Sequence, residues 1–343
     1  MREFFRPTYA EAQQQQPRSQ TRPWHLQELT FYITDSCSLT CSGCVTYNEL
    51  AFKDGVMTVS GPARERMDSW ARLLDVDEIS VLGGEPLSHP ELDTWLDYLQ
   101  TKWPTALRYI IVTNGELLPQ RTDDVVKWLE KGWSLEISSH SAEAYAAAQA
   151  WWASVALGLE HPPQRRVEHN QDGEEMTEFW DYQGQPLVQI NQCWLFYPRR
   201  YTIHQDHIAW KPLTNARLQH SICPGKTCTH MVDGVMYRCP VQATVPRLAR
   251  QYRVEGTDGL AEKDLGFDPL KGGNLSAWMR DLNTPTSQCS LCNWQEKRIP
   301  LEDPYGKKIK IVRRVNPDSP ATALEHPASP DGAEHWPEPS SQA

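Results

Sequence analysis

The central part of the chain alternates between strand-like and helix-like segments, and this alternation restricts the folds that it can adopt. Short runs of β-branched, aromatic and other apolar residues predict strands at 29–35, 78–82, 109–113 and 133–137. Helical periodicity follows the strands, as at Met67, Trp70, Ala71 and Leu74. Strand–helix units in series predict an α/β fold with a parallel sheet, whose functional residues gather where the strands end.

Three cysteines follow the first predicted strand directly. Cys37, Cys41 and Cys44 have the spacing C-x3-C-x2-C, so their thiolates share one loop. Such a loop can bind three irons of a cubane [4Fe–4S] cluster and leave the fourth iron open to another ligand. A zinc site would need a fourth Cys or His from elsewhere in the fold, because no histidine lies between residues 26 and 88. Inert thiols are the remaining interpretation.

A second group of cysteines lies further along the chain, at Cys223, Cys228, Cys239, Cys289 and Cys292. Asp233-Gly234, between two apolar runs, predicts a hairpin turn that brings Cys228 and Cys239 together. Two close cysteine pairs are typical of a four-thiolate metal site, either an iron–sulfur cluster or a zinc knuckle. Five cysteines compete for four places, and the preferred ligands are Cys228, Cys239, Cys289 and Cys292, with Cys223 as the competitor of Cys228.

One helix and one strand after the cysteine loop comes the tetrapeptide Gly83-Gly84-Glu85-Pro86. The loop and this tetrapeptide together resemble the motifs of the radical S-adenosylmethionine (SAM) superfamily. The resemblance implies a partial (β/α)6 TIM-like barrel in which the open iron chelates the amino and carboxylate groups of SAM. It also implies that the tetrapeptide holds the methionyl amine. Further residues expected near the SAM ribose and carboxylate are Thr113, Asn114, Ser138 and His140. For Ser138 and His140, a loop cap without a ligand is the alternative.

The second cysteine group resembles the auxiliary-cluster extension known as SPASM, or its shorter twitch form, through Gly234-x4-Cys239. This resemblance implies a small C-terminal cysteine-rich extension that holds one auxiliary iron–sulfur cluster, expected to be a second [4Fe–4S] cluster. One departure concerns the residue before the third cysteine, which is often aromatic in the superfamily and lies near the adenine. Here it is Gly43, and Tyr47 is a candidate replacement. Cys193 stands alone among aromatic residues and is predicted to be a core residue.

The charge balance argues against two classes of partner. The chain has 44 acidic and 34 basic residues and a formal net charge of −10, so neither general nucleic-acid binding nor membrane-surface binding is expected. Residues 1–25 lack the apolar core of a secretory signal, and no apolar run reaches membrane-spanning length. We therefore expect a cytoplasmic protein, in which clustered cysteines bind metal more often than they form disulfides.

The sequence thus predicts the following segments: a flexible arm (1–25), a radical SAM partial barrel (26–215), an auxiliary-cluster region (216–314) and a disordered tail (315–343). The resemblance implies an enzyme that reductively cleaves SAM to a 5′-deoxyadenosyl radical and takes hydrogen from a small-molecule or peptide substrate. An electron donor such as flavodoxin or ferredoxin would be a partner. The alternatives are a peptide-modifying maturase of the SPASM type and a non-catalytic zinc or iron–sulfur binding module.

Overall fold

The computed structural model describes residues 22–41, 43–50, 55–169, 173–182, 184–197, 200–204, 206–213, 215–261, 263–294 and 298–300. Nearly all of the predicted arm and the whole predicted tail lie outside these ranges, as does the end of the predicted auxiliary-cluster region. None of the helices in the described ranges combines the length and apolar character that crossing a membrane requires.

The strands are β1 (Trp24–Tyr32), β2 (Leu74–Leu82), β3 (Arg108–Thr113), β4 (Trp133–Ser139), β5 (Gln164–His169), β6 (Met176–Tyr182), β7 (Gln185–Gln192), β8 (Leu195–Phe196), β9 (Tyr201–Ile203), β10 (His207–Trp210), β11 (Thr229–Val232), β12 (Val235–Tyr237), β13 (Arg253–Glu255) and β14 (Ile299–Pro300). The α-helices are α1 (Gly61–Leu73), α2 (Leu92–Lys102), α3 (Thr122–Glu130), α4 (Ala142–Ala156), α5 (Ala216–Ser221), α6 (Pro240–Gln251) and α7 (Leu275–Arg280). β1 begins at Trp24, inside the segment predicted as an arm.

In the described part of the chain, nine strands form one sheet in the order β12-β11-β1-β2-β3-β4-β7-β6-β5. The strands from β11 to β7 in this order are mutually parallel, whereas β12, β6 and β5 are antiparallel additions at the two edges. The predicted α/β fold with a large parallel sheet is confirmed. The pairings leave this sheet open, and β11 joins it from the region predicted to form the cysteine-rich extension.

Aromatic side chains fill the layer between the sheet and its helices. The Phe31 ring on β1 lies 5.4 Å from the Trp103 ring and 6.3 Å from the Trp95 ring, measured between centroids. Trp70 on α1 and Trp128 on α3 belong to the same buried core. These large side chains remove much apolar surface from water, which stabilises the packing of the helices on the strands.

The β11–β12 hairpin turns at Asp233 and Gly234, which both have positive φ angles of 50° and 77°. A Cβ on Gly234 would lie 2.5 Å from the Arg66 Cβ, so only glycine allows the turn to pack this closely on α1. The Trp70 indole N–H donates to the Gly234 carbonyl oxygen at 3.0 Å. The predicted hairpin is confirmed, and these contacts attach the cysteine-rich region to the first helix of the sheet.

A buried ion pair makes the same connection. The Arg66 Nε lies 2.8 Å from Asp268 Oδ2, and the two side chains are 9% and 2% exposed. Because Asp268 has little access to water, loss of its cationic partner would leave a buried charge uncompensated.

We predict that Arg66→Met lowers the free energy of unfolding by about 3–5 kcal/mol, the usual cost of breaking a buried pair. Arg64→Met on the same helix is the control, because Arg64 is 55% exposed and its nitrogen lies 3.9 Å from Asp68. That exposed pair should contribute less than about 1 kcal/mol. Urea unfolding of the reduced, metal-free protein measures both values. An equal loss of unfolding free energy in the two variants would contradict the role of the Arg66–Asp268 pair as a buried ion pair.

Candidate functional site

The loop with Cys37, Cys41 and Cys44 leaves the carboxyl end of β1 and turns tightly. The Cys44 N–H donates to the Cys41 carbonyl oxygen at 3.2 Å, and Gly43 adopts a positive φ of 88° within the turn. Cys41 is buried, whereas the other two cysteines are half-buried. The loop therefore holds three thiols at the edge of the sheet where the parallel strands end.

Polar side chains lie beside two of these thiols. Asn114 Nδ2 is 3.9 Å from Cys37 Sγ, Asn48 Nδ2 is 3.9 Å from Cys44 Sγ, and Thr46 Oγ1 is 3.1 Å from Cys44 Sγ. Amide and hydroxyl donors favour the charged thiolate form. Within the described residues, no group of three or more His, Cys, Asp or Glu side chains is arranged to hold a single metal ion. A cubane cluster differs, since each thiolate binds its own iron and the sulfurs need not converge on one point.

The Gly83-Gly84 pair, expected to lie against a ligand, contacts the main chain that leads into the cysteine loop. The Gly84 N–H donates to the Thr34 carbonyl oxygen and the Glu85 N–H to the Ser36 carbonyl oxygen, both at 2.6 Å. A Cβ on Gly83 would lie 2.4 Å from the Thr34 oxygen, and one on Gly84 would lie 2.0 Å from the Ser36 oxygen. Any side chain at either position would separate the two segments.

The Glu85 carboxylate is fully buried, at 0% exposure, and accepts hydrogen bonds from protein donors. Oε1 accepts from the Thr113 hydroxyl at 2.7 Å and the Leu87 N–H at 2.9 Å, and Oε2 accepts from the Asn114 N–H at 2.7 Å. Burial raises the pKa of Glu85 to about 7, although these hydrogen bonds oppose the shift. Glu85 therefore joins the end of β2 to the end of β3. Pro86 begins the short turn that follows.

A second buried carboxylate, that of Asp35, anchors the start of the cysteine loop. Arg247 Nη2 on α6 donates to both Asp35 oxygens, at 2.7 and 3.0 Å, and the Tyr32 hydroxyl donates to Oδ1 at 2.7 Å. Burial, followed by the charge of Asp35, raises the pKa of Tyr32 well above its usual range, so the hydroxyl keeps its proton. This network connects α6, which follows Cys239, to the loop that carries Cys37.

The aromatic ring next to Gly43 is Phe196. A Cβ on Gly43 would lie 3.2 Å from the Phe196 Cβ, so this side chain covers the position where a larger residue would stand. The His140 ring lies 5.7 Å from the Phe196 ring, and His140 Nδ1 is 3.3 Å from the Cys193 carbonyl oxygen. Tyr47, the candidate from the sequence, lines an open cavity together with Gly43 and packs against Tyr201 and Trp210, with ring centroids 5.7 and 5.8 Å away.

The Ser138 side chain, expected near a ligand, lies beside the Cys193 thiol. Desolvation raises the pKa of this thiol to about 12, but Cys193 is half-buried and lies outside the buried core clusters of the described residues, unlike the core residue that the sequence predicts. Thr113 and Asn114 thus contact Glu85 and the cysteine loop, whereas Ser138 and His140 contact the segment around Cys193. Both groups lie at carboxyl ends of parallel strands.

Among the described residues, four cysteines line a cavity of about 460 Å³: Cys223, Cys239, Cys289 and Cys292. Main-chain N–H groups at the start of α6, those of Val241 and Gln242, lie beside the Cys239 thiol and partly offset the rise of its pKa, and the Gly225 N–H does the same at Cys223. The Trp294 side chain has this effect on the pKa of Cys292. The cavity therefore combines four sulfur atoms with several hydrogen-bond donors.

Cys228, preferred from the sequence as a ligand of this second site, does not line the cavity. Its Sγ lies 3.2 Å from Glu28 Oε1, 3.3 Å from His230 Nε2 and 3.7 Å from the Thr30 hydroxyl. Cys223 occupies the place beside the other three cysteines. The hairpin geometry explains the difference, because Cys228 precedes β11 and lies next to β1 on the main sheet.

Burial is the main influence on the thiols of the cavity. It raises the pKa of Cys239 to about 12 and that of Cys292 well above its usual range, and nearby thiols add to both shifts. The Cys223 pKa is also raised by burial. The thiols of Cys223, Cys239 and Cys292 would have to lose their protons when a metal binds, and the metal charge supplies the compensation.

A second, more open cavity of about 510 Å³ lies between the two cysteine sites. Gly43 and Cys44 line it on one side and Cys292 on the other, and its walls include Tyr197 and Trp294. Val241, Cys292 and Trp294 line both cavities, so the two cysteine sites are neighbours across one wall.

The sheet carries charged side chains that the sequence reading did not assign to a site. Arg108 Nη1 lies 3.1 Å from Glu78 Oε2, and Asn191 Nδ2 donates to Glu136 Oε1 at 3.0 Å. Burial raises the pKa of both Glu78 and Glu136. In the sequence, these charged residues alternate with apolar ones along the strands. Every second residue of a strand faces the same side of the sheet, so this alternation could have indicated a shared polar face.

No family model matches the chain, and no curated protein matches its sequence. Among solved structures, one match is the crystal structure of BtrN in complex with AdoMet and 2-DOIA, at 21% sequence identity and a TM-score of 0.28. The match covers 36% of this chain and 54% of that chain.

We predict that the Glu85 carboxyl makes folding less favourable as the pH rises. Its pKa is about 7 in the fold against an ordinary value of 4.5, so the unfolded chain ionises first. The unfolding free energy of the wild type, relative to Glu85→Gln, should therefore fall by about 3 kcal/mol between about pH 4.5 and about pH 7.

Chemical denaturation at a series of pH values measures this difference. Glu65→Gln is the control, because Glu65 is exposed on α1 and its removal leaves the strand ends unchanged. The same pH dependence for both variants would contradict the prediction.

Proposed function

We propose that this chain is a radical SAM enzyme with one auxiliary iron–sulfur cluster, built on a partial (β/α)6 barrel. The observation that carries the proposal is the contact of the three-cysteine loop with the Gly83-Gly84-Glu85-Pro86 turn at the ends of two paired parallel strands. A compact three-thiol loop with nearby amide donors suits a cluster that has one open iron. When bound, such a cluster supplies the electron that cleaves SAM to methionine and a 5′-deoxyadenosyl radical, which takes hydrogen from the substrate.

The chain's own residues would orient SAM and exclude water. Since both Glu85 oxygens already accept protein hydrogen bonds, we assign Glu85 to holding the ends of β2 and β3 in place. Among the described residues, the Gly83 carbonyl oxygen accepts only long contacts, from Asn48 Nδ2 at 3.4 Å and Thr46 Oγ1 at 3.5 Å, and it is our candidate acceptor for the methionyl ammonium. We assign the aromatic surface beside the adenine to Phe196.

For the second cluster we propose Cys223, Cys239, Cys289 and Cys292 as ligands. These four line one cavity, and a fully buried amide nitrogen there, Gln219 Nε2, has no hydrogen-bond partner among the described residues. An orphaned donor beside four thiols fits a site whose bound group offers sulfur acceptors. An external electron donor and a small-molecule or peptide substrate complete the proposed reaction.

The activity is tested by anaerobic reconstitution with iron and sulfide, followed by SAM and dithionite. We expect about eight irons per chain, as two [4Fe–4S] clusters require, and formation of 5′-deoxyadenosine. Cys41→Ala should lose about half of the iron and all of the product. Cys193→Ala is the matched control and should retain both, because this half-buried cysteine lies outside the proposed ligand sets. Bound zinc without sulfide, or no product from intact clusters, would refute the proposal.

The ligand assignment is tested by a pair of serine variants. Cys223→Ser should lose about half of the iron and sulfide, since it removes one ligand of the auxiliary cluster. Cys228→Ser should retain the iron of the wild type, because the Cys228 thiol contacts Glu28 and His230. Iron and sulfide analysis with Mössbauer spectra measures both. Loss of a cluster only in Cys228→Ser would overturn the assignment.

A further inference from the structure

The cavity lined by the four cysteines contains an amide group whose orientation is fixed by the protein. Gln219, on α5, is 0% exposed. Its Oε1 accepts a hydrogen bond from the Trp294 N–H at 2.8 Å. The oxygen and nitrogen of a side-chain amide are told apart by their hydrogen bonds. Here the bond from the Trp294 N–H identifies the oxygen of Gln219, so the other terminal atom is the nitrogen. The Nε2 hydrogens of Gln219 find no acceptor among the described residues.

The other glutamines that line this cavity in the described chain differ in this respect. Gln288 Nε2 donates to the carbonyl oxygens of Leu260 and Lys263, at 2.8 and 2.7 Å. Gln242 Nε2 donates to the Thr286 hydroxyl at 2.8 Å. Their amide nitrogens are therefore engaged with protein acceptors, whereas that of Gln219 is not.

Buried donors without acceptors are rare in folded proteins, because each forfeits the hydrogen bond that it made with water. The cavity offers the sulfur atoms of the four cysteines and of a bound cluster as acceptors, besides the side-chain oxygens of Gln242 and Gln288, which also lack partners among the described residues. Hydrogen bonds to the sulfurs of a cluster favour its reduced state, which carries more negative charge, and so raise its reduction potential.

We propose that the Gln219 side-chain amide donates a hydrogen bond to a sulfur of the auxiliary cluster and raises the cluster's reduction potential. This inference rests on the proposed function, since it requires the four-cysteine cluster. Gln219 also acts as a positioning residue, because its oxygen accepts from the main-chain N–H of Trp294, which lines the cavity beside Cys292.

The test uses the full-length chain with Cys37, Cys41 and Cys44 replaced by alanine, so that only the auxiliary cluster forms. After anaerobic reconstitution, a redox titration followed by electron paramagnetic resonance measures the midpoint potential. Gln219→Leu should shift this potential to a more negative value. Gln242→Leu is the matched control, because it makes the same chemical change in the same cavity at an amide that donates to Thr286, and it should shift the potential less.

If Gln219→Leu fails to take up iron, Gln219→Glu replaces it in the titration. This variant keeps the oxygen that accepts from the Trp294 N–H and removes the Nε2 donor. Its potential should again be more negative, by more than that of Gln242→Glu, which adds the same charge. An unchanged potential in the Gln219 variants, or equal shifts at positions 219 and 242, would overturn the role of Gln219 and leave the proposed function standing. A parent chain that binds no cluster would overturn both.

Discussion

Close contact between the end of β2 and the start of the cysteine loop determines the geometry of the candidate site. Parallel pairing of β1 with β2 brings the two segments to the same edge of the sheet, and two N–H···O hydrogen bonds of 2.6 Å join them. The contact requires residues without a Cβ at 83 and 84. From this junction, the buried Glu85 extends the connection to Thr113 and Asn114 on β3, so one turn holds three strand ends together.

The two cysteine regions depend on one another structurally. β11, from the second region, pairs with β1, and Arg247 on α6 binds Asp35 just before the first cysteine loop. Buried ion pairs contribute little net stability compared with apolar packing, but loss of one partner is costly. Arg247 and Asp35 therefore fix the relative position of the two regions more than they add to their stability. The shared wall of Val241, Cys292 and Trp294 is a consequence of this arrangement.

Chemically, the two sites differ in what surrounds their thiols. The first loop has side-chain donors close to Cys37 and Cys44 at the sheet edge. The second site is a cavity whose four thiols are half-buried, with main-chain N–H groups of the start of α6 beside Cys239. Because desolvation raises the pKa of Cys223, Cys239 and Cys292, their deprotonated state depends on bound metal charge. Such an arrangement suits a closed cluster, whereas the first suits one with an accessible iron.

Local sequence was sufficient for the features that follow from short-range pattern. The strand–helix alternation, the hairpin at Asp233-Gly234 and the three-cysteine loop beside a strand end could all be predicted, because periodicity and turn chemistry act over a few residues. The placement of Gly83-Gly84 near that loop followed from the rule that parallel strands end at one edge.

Only the tertiary structure decided which distant side chains meet. Cys223 rather than Cys228 joins the other three cysteines, because β11 pairs with β1 and turns Cys228 toward Glu28. Phe196 lies beside Gly43, and Arg247 reaches Asp35 across 212 positions. Spacing along a chain constrains neighbours within a turn or a strand. Contacts between remote segments depend on sheet order and packing, which no local pattern specifies.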